Sequence, residues 1–457
     1  MVKLLKRQNI DATSGALLPA IIQYSIPLIL STIIQTMFNT MDKIVLGQMA
    51  DTTSVAAVAA TGVVIGLIVS IFSGMSGGVN ILIAHAIGAG DRDRLQKTIS
   101  TALFSAVGFG VLIVALGWIL SPAFLTLTKC PAECYDGALT YIRIYLSAAP
   151  ALLLYNFGAG ILRASGDSQR PLYYILAGGT LNVVLNVILC LILSKKVAAV
   201  AIATVASQIL GAVLVLRRLF LKEHVCRITP KEMQWDLATF GRILRYGFPI
   251  ALSAAIYPIS TLQIASAVNS YGVSVVAGHS AAFTMETVLS SFSTSGFGNA
   301  ATTFMAQNLG AKRYDRVKRT FFLCMLLGSS CAIVLGTLFY QTGSFWLGLM
   351  VPGDEVAIRY GLIRMFYMSQ FYFLAAMGNL LISALHAYGK TAFCTVQSLL
   401  CVCGFRVLWM WLIYPRYETF DCLMACYVVT KILMLITGAI CFAVCYRQMK
   451  KGTLKEI

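Results

Sequence analysis

Two acidic residues of this sequence lie inside long apolar stretches, where a charged side chain is costly. Of the eighteen Asp and Glu residues, we place Asp42 and Glu286 within segments that are apolar enough to cross a membrane. A charge at the centre of a bilayer costs about 2.5–3.5 kcal/mol on insertion scales, so an acid that is kept there is a candidate for function. A carboxylate in such a place can bind a proton or a cation and release it again.

Asp42 ends a polar stripe on the first predicted helix. Gln35 and Asn39 follow Ser31 at spacings of four residues, and Asp42 comes three residues later, which puts all four on one helix face. Such a stripe on a lipid-embedded helix is expected to face other helices or a wet cavity. The alternative for Asp42 is a pair with Lys43, but neighbours on a helix point ~100° apart.

Two later spans carry amide and hydroxyl groups that could complete a site with Asp42. Asn182 and Asn186 are one helical turn apart on the fifth span, and Thr204 lies on the sixth. One carboxylate with amide and hydroxyl oxygens could bind a proton or a hard cation. Hydrogen bonding between helices is the alternative role for these three polar side chains, and both roles stay open.

A second group of candidates lies in the other half of the chain. Glu286 could be a second titratable group or an anchor for a cationic substrate. It could instead form a buried pair with Arg406 or Lys431, which we place inside spans, whereas Arg364 is counted with the outer helix ends. The tenth span is rich in aromatic residues and methionine, which can adapt to varied ligands. The candidates for this second site are Glu286, Tyr257, Met368, Gln370 and Phe371.

These candidates need helices that cross a membrane to position them. The chain has 457 residues, of which 58% are hydrophobic and 12% charged, whereas a soluble domain carries about 25% charged residues. Repeated apolar runs longer than ~18 residues predict spans, and spans must be helical unless a barrel closes. We predict twelve helices, approximately at 17–43, 53–82, 96–121, 137–163, 171–194, 197–218, 242–268, 274–306, 319–342, 357–386, 391–414 and 420–446.

Internal repeats divide the chain into two halves. Three short motifs recur in the same order at offsets of 222 or 223 residues. The pairs are YSIPLILS with YGFPIALS, IGAGDRDR with LGAKRYDR, and LRASG with LHAYG. An even number of spans in each half relates the two by an axis along the membrane normal. We therefore expect an N-terminal six-helix bundle at 1–218, a cytoplasmic linker at 219–241 and a C-terminal six-helix bundle at 242–457.

The distribution of basic residues predicts the orientation of the chain in the membrane and argues against nucleic-acid binding. Most of the 35 Lys and Arg residues fall in segments that would be on one side, which places both termini in the cytoplasm of a plasma (inner) membrane. The net charge of +17 then needs no nucleic acid. No phosphate-cradling loop, zinc motif or nucleophile–base pair is evident, so we expect no enzyme activity, metal or cofactor. Cys130 and Cys134 share a predicted outer loop, and a local disulfide stays open.

The motifs of this chain resemble those of the multidrug and toxic compound extrusion (MATE) family over nearly the whole length. The resemblance rests on NTMDKIVLGQM, on the loops GAGDRDR and QNLGAKRYDR, and on LRASGDSQRP and LHAYGKT. The early Asp and the sparse acids are similar to the branch that includes DNA-damage-inducible protein F. The resemblance implies two six-helix bundles in a V, alternating access, and export driven by sodium or proton influx.

The resemblance also assigns the coupling residues. In the family, the first-span Asp works with an Asn and an acid one turn apart on the fifth helix and with a Thr on the sixth, which correspond to Asp42, Asn182, Asn186 and Thr204. Asn186 stands where the pattern has an acid, so the site carries one formal charge and favours a proton over sodium. The residues assigned to cation coupling are Asp42, Asn182, Asn186, Thr204, Asn39 and Gln35.

The sequence therefore predicts a secondary active exporter. Its substrate is expected to be an amphipathic, cationic small molecule, its coupling ion a proton or sodium, and its state a monomer in a lipid bilayer. The alternative is a lipid-linked sugar flippase of the same superfamily fold. A cavity lined by basic side chains would favour the flippase, and a cavity of acids and aromatic residues would favour the exporter.

Overall fold

The apolar runs of the sequence fold into long helices, because a helix pairs its own backbone groups where no water can. The computed structural model describes residues 10–128, 130–221 and 225–453, and every regular element in these ranges is a helix. In chain order, the first helices are α1 (Leu17–Met49), α2 (Thr52–Ala89), α3 (Arg92–Leu127), α4 (Ala132–Ser147), α5 (Ala149–Ala164), α6 (Gln169–Ile192) and α7 (Lys196–Phe220).

The second half repeats this order with more interruptions. A 3-10 turn at Pro230–Glu232 precedes it, and π-helical segments at Ser291–Gly298, Phe366–Gln370, Leu399–Gly404 and Trp409–Ile413 separate several of its helices. These helices are α8 (Leu237–Asn269), α9 (Val273–Ser290), α10 (Asn299–Gly310), α11 (Tyr314–Gln341), α12 (Gly343–Met350), α13 (Glu355–Met365), α14 (Tyr372–Ala387), α15 (Thr391–Ser398), α16 (Phe405–Leu408), α17 (Tyr414–Tyr417) and α18 (Phe420–Lys450).

The helices reproduce the predicted number of spans. Within the described ranges, eight helical segments are long and apolar enough to cross a membrane, and two bent pairs raise the number to ten. The pair α4–α5 bends by 47° near Pro150, in the first turn of the second helix, and the pair α13–α14 bends by 43° after a π-helical turn. The helix α8 and the segment α9–α10 bring the layout to the twelve expected spans.

The repeats are visible in the backbone. The repeat-equivalent positions Gly166 and Gly389 follow α5 and α14 and have φ angles of 84° and 72°. Gly90 and Lys312, which are also equivalent, follow α2 and α10 with φ angles of 69° and 56°. Matched helix ends of this kind are expected where two halves repeat the same elements.

Contacts divide the chain into two compact units, which are Met1–Ile10 with Leu30–Ala251, and Asp11–Ile29 with Leu252–Ile457. This division differs from the sequence boundaries, because the beginning of α1 groups with the second unit and the beginning of α8 with the first. In the first unit, a Cβ built at Gly78 would lie 2.5 Å from the backbone of Gly247, so α2 and α8 pack directly.

In the second unit, the loop QNLGAKRYDR holds the segment that precedes α1. Arg316 donates to the carbonyl oxygens of Ala12, Ser14 and Gly15 at 2.9–3.0 Å. Asn308 donates to the carbonyl of Ala12 at 3.0 Å. The basic residues of this loop therefore fix the start of the first helix, in addition to any effect on orientation.

Two cysteines of the first unit that the sequence left open for a disulfide are free thiols in the structure. Cys130 is half-buried, and Cys134 is buried in an apolar cluster with Leu46, Ala57 and Tyr141. The last turns of α1 pack into the same cluster through Leu46.

Candidate functional site

In the first unit, a chain of hydrogen bonds joins three helices at Asp42. Nδ2 of Asn186 donates to Oδ1 of Asp42 at 2.7 Å and to Oδ1 of Asn182 at 3.3 Å. Nδ2 of Asn182 lies 3.4 Å from Oγ1 of Thr204, which in turn donates to the carbonyl of Val200 at 3.0 Å. The structure thus brings together the carboxylate, both amides and the hydroxyl that the sequence singled out.

Small residues let the three helices approach closely enough for these bonds. A Cβ built at Gly179 on α6 would lie 2.1 Å from the ring of Phe38 on α1, and one built at Gly178 would lie 3.3 Å from the carbonyl oxygen of Ser207 on α7. Only glycine accommodates the first of these contacts. About one and two turns after Gly179, Asn182 and Asn186 therefore face α1 and α7.

The groups that surround the carboxylate of Asp42 are largely buried. Asn182 is 5% exposed and Asn186 is fully buried, and the hydroxyls of Tyr141 and Tyr145 are close enough to interact electrostatically with Asp42. Oδ1 of Asn186 is buried without a hydrogen-bond partner among the described residues. The site therefore has an acceptor that is left unused while Asp42 is a carboxylate.

Two further residues of the predicted coupling group are not part of this chain of bonds. The side chain of Gln35 is exposed, about two turns before Asp42 on α1. The side chain of Asn39 lies outside the part of the chain that the structure describes, and so does that of Lys43, the alternative partner of Asp42.

The second unit encloses a cavity of about 530 Å³. It lies among α8, α9, α13–α14, α15–α16 and α18, and its walls combine aromatic rings, methionines and charged groups. The charged residues that line it are Glu286, Arg364, Arg406 and Lys431, and its aromatic residues are Tyr257, Phe283, Tyr372 and Tyr427.

Glu286 forms a buried ion pair, but with a partner that the sequence analysis did not propose. Nη2 of Arg364 donates to Oε2 of Glu286 at 2.7 Å, with side chains 2% and 17% exposed respectively. Nη1 of Arg364 donates to Nε2 of His279 at 2.8 Å. The alternative of a buried pair therefore describes Glu286, but the partners named for it, Arg406 and Lys431, were wrong.

Arg364 was missed because it was assigned to an outer helix end. It instead lines the cavity, where its guanidinium lies 5.3 Å from the ring centre of Phe283 and 5.6 Å from that of Tyr427. The signal was present in the sequence: Arg364, Met368 and Tyr372 follow one another at intervals of four and share one face of the tenth span.

The same spacing separates the candidates of the second site that line the cavity from those that do not. Glu286, Tyr257 and Met368 line the cavity, as expected. Gln370 and Phe371 do not, although they were assigned to it. They follow Met368 by two and three residues at the junction of the π-helical turn and the bend, which directs them away from the face that Met368 and Tyr372 occupy.

The helical layout, its internal repeats and an acid inside each half define a membrane transporter built from two related halves. The sequence profile of the MatE family matches residues 27–188 and 249–412, which is more than half of the chain and reaches both halves. The chain belongs to the MatE family of membrane transporters, and it is not an enzyme. The family resemblance and the predicted twelve-span fold are confirmed.

Individual relatives agree with this assignment. The chain is 26% identical over 392 residues to a probable multidrug resistance protein of Bacillus subtilis, YoeA, with 84% of each protein covered. It is 24% identical over 313 residues to an FAD transporter of Shewanella oneidensis, with 68% of each covered. The crystal structure of a MATE protein in complex with MaL6 shares the fold, with a TM-score of 0.89, 20% identity, and coverage of 98% of this chain and 100% of that one.

Proposed function

We propose that this chain is a secondary active exporter of amphipathic small molecules, driven by influx of a proton or sodium ion that binds at Asp42. The observation that carries the proposal is the bond from Asn186 to Asp42, which places the single carboxylate of this site within a network of amides. The multidrug name of a relative that covers 84% of the chain supports export of drugs.

A proton can change this network without moving a helix far. Protonated Asp42 needs an acceptor for its new O–H, and the Oδ1 of Asn186 is buried and unused. A half-turn of the Asn186 amide would present that oxygen to Asp42 and would break the bond to Asn182. Binding of the ion thereby changes the hydrogen bonds between side chains of α6. For coupling to result, the ion and the substrate must each bind one conformational state of the protein more tightly than the other.

Sodium would require the same rotation. Its oxygen ligands would be the carboxylate of Asp42, the amide oxygens of Asn182 and Asn186, and the hydroxyl of Thr204. With one carboxylate, this set carries less charge than hard-cation sites that use several acids. We therefore favour the proton as the coupling ion.

The proposal includes the orientation and the membrane. The basic segments that include 309–316 and 447–453 support a cytoplasmic position for both termini, by the positive-inside rule. A plasma (inner) membrane and a monomeric state remain part of this proposal, as does the likeness to the branch of DNA-damage-inducible protein F.

The charge of the exported molecule needs separate consideration. The expected cationic substrate would rely on Glu286, but that acid is already paired with Arg364. The basic groups of the cavity are the feature expected for a lipid-linked sugar flippase. The relatives described above are named for drugs and for FAD, and the cavity walls are largely aromatic, so we favour an exporter of soluble amphipathic molecules over the flippase.

Efflux from proteoliposomes tests the coupling. Purified protein is reconstituted with a fluorescent dye inside, and proton and sodium gradients are imposed separately on wild type and on Asp42→Asn. Asp93→Asn serves as the control, because Asp93 is a carboxylate with a side chain 76% exposed. We expect one gradient to drive efflux in wild type and in the control but not in Asp42→Asn. Full gradient-driven efflux by Asp42→Asn would refute the proposal.

A further inference from the structure

Two basic residues of the cavity in the second unit have no acidic partner. Within the described ranges, neither Arg406 nor Lys431 forms a salt bridge. Nη1 of Arg406 donates to Oγ of Ser260 at 2.9 Å. Nζ of Lys431 lies 3.6 Å from Sδ of Met368. A neutral hydroxyl and a thioether are weak partners for two cations.

Glu286 does not neutralise the cavity. It is the one acid among the described residues that line it, and it bonds at 2.7 Å to Arg364. The cavity therefore holds three basic side chains against a single carboxylate. Arg364 and Glu286 cancel each other, and the charges of Arg406 and Lys431 are left over.

Of these two charges, that of Arg406 is buried and that of Lys431 is half-buried. Arg406 is 7% exposed, and its Nε is buried without a hydrogen-bond partner in the described part of the chain. Burial of an uncompensated cation is unfavourable, so such groups are retained where they pair with something. Aromatic faces provide part of the compensation, with Arg406 4.5 Å from the ring centre of Tyr427 and Lys431 5.5 Å from that of Tyr372. An anion would provide the rest.

The uncharged walls of the cavity indicate which kind of molecule would carry the anionic group. Rings of Tyr257, Phe283, Tyr372 and Tyr427 and the side chains of Met368 and Met434 surround the charged groups. The volume of about 530 Å³ lies within the range of small-molecule sites. Flat aromatic walls around two cations that lack an acidic partner suit a molecule that has a planar ring system and a carboxylate or phosphate group.

We propose that this cavity binds an amphipathic organic anion, with its acidic group held by Arg406 and Lys431 and its ring system packed against the aromatic walls. The inference rests on the proposed export of amphipathic molecules and names the class that the second unit selects. It reverses the charge that the sequence alone led us to expect for the substrate.

A matched pair of flavins tests the charge preference. Flavin mononucleotide and riboflavin share the ring and ribityl chain and differ by one phosphate. Binding of each to the purified full-length protein in nanodiscs is followed by quenching of flavin fluorescence, without any ion gradient. We expect flavin mononucleotide to bind about tenfold or more tightly than riboflavin, because hydrogen bonds to charged groups are the stronger ones.

Substitutions of Lys431 test whether the preference for flavin mononucleotide arises in this cavity. Lys431→Met removes the charge and keeps the chain length, so it should weaken binding of flavin mononucleotide about tenfold and leave riboflavin within about twofold. Lys431→Arg should retain most of the preference, and it also shows that the position tolerates substitution. Lys318→Met is the control, since Lys318 is exposed on α11 of the same unit. Equal binding of the two flavins, absence of binding, or an unchanged preference in Lys431→Met would overturn the proposal.

The assay separates this inference from the proposed coupling. If flavin mononucleotide binds as expected while no gradient drives efflux, the anion site stands and the coupled exporter fails. If a gradient drives dye efflux while the two flavins bind alike, the exporter stands and the anion site fails.

Discussion

The side-chain amide of Asn186 donates to Asp42 at 2.7 Å, while its own oxygen is buried without a partner among the described residues. The amide in this position donates one hydrogen bond to the carboxylate, and its oxygen is available to accept another. The family resemblance places an acid at the same position, so the difference between one and two carboxylates is concentrated in a single residue. The identity of that residue is expected to determine which ion the site prefers.

Replacement of Asn186 by Asp should move the preference toward sodium. Two carboxylates facing one another repel unless a cation or proton lies between them, and a second carboxylate strengthens binding of a hard cation. We expect Asn186→Asp to show sodium-driven dye efflux with an apparent sodium affinity about tenfold or more above wild type. Asn269→Asp, at the exposed end of α8, is the control. If dye efflux by Asn186→Asp did not respond to a sodium gradient, the assignment of the site would be contradicted.

Removal of one partner of the buried pair in the second unit should be costly. Glu286→Gln leaves the guanidinium of Arg364, 2% exposed, without its carboxylate. Breaking a buried pair in this way typically costs about 3–5 kcal/mol, whereas removal of both charges costs much less. We expect a lower free energy of unfolding in detergent for Glu286→Gln and partial recovery in Glu286→Gln with Arg364→Met. Glu355→Gln, which is exposed, should be neutral. Equal stability of Glu286→Gln and wild type would indicate that the pair contributes little.

The sequence predicted best what depends on spacing along one helix. The apolar runs gave the spans, and the one-turn spacing of Asn182 and Asn186 correctly indicated a shared face. The partner of Glu286 was missed, because it depends on how deep Arg364 lies and on how α9 and α13 pack. Gln370 and Phe371 were misplaced for a related reason, since a π-helical turn and a 43° bend change the face that each residue occupies. Neither the π-helical turn nor the bend is marked by a distinctive pattern of residues in the sequence.

The assignment of the domains illustrates a second limit. The motif repeats indicated two equivalent halves, and left-handed backbone recurs at the repeat-equivalent positions Gly166 and Gly389. Sequence order alone cannot show that the beginning of α1 belongs with the second unit, because that grouping results from long-range packing. There, Tyr24 contacts Thr303 through hydroxyls 3.0 Å apart and Phe304 through rings centred 5.2 Å apart.

A methyl group at Gly179 should disturb the coupling site without altering any polar residue. A Cβ there would lie 2.1 Å from the ring of Phe38, so that ring and the part of α1 that carries Asp42 must move. We expect Gly179→Ala to lower gradient-driven efflux about tenfold or more, because bonds in this network lengthen beyond useful distances. Gly62→Ala, on α2 with nothing within 4 Å of the added carbon, is the matched control.

A second substitution distinguishes this cause from general damage. Phe38→Leu, which removes the ring, should restore part of the efflux in the Gly179→Ala background. If Gly179→Ala were as active as Gly62→Ala, close packing of α1 on α6 would not be needed for transport. If Phe38→Leu gave no recovery, the loss would have to come from another contact of Gly179.

Replacement of Lys312 by glycine should stabilise the protein. Lys312 has a φ of 56°, and the repeat-equivalent Gly90 has a φ of 69°, so both halves require left-handed backbone after this helix. A side chain with a Cβ in that conformation costs about 1–2 kcal/mol, whereas glycine adopts it freely. We expect Lys312→Gly to raise the free energy of unfolding by about 1 kcal/mol, measured by thermal unfolding in detergent. Lys318→Gly, within α11, should lower it by about 1 kcal/mol, and a decrease for Lys312→Gly as well would show that the lysine side chain outweighs the strain of its backbone.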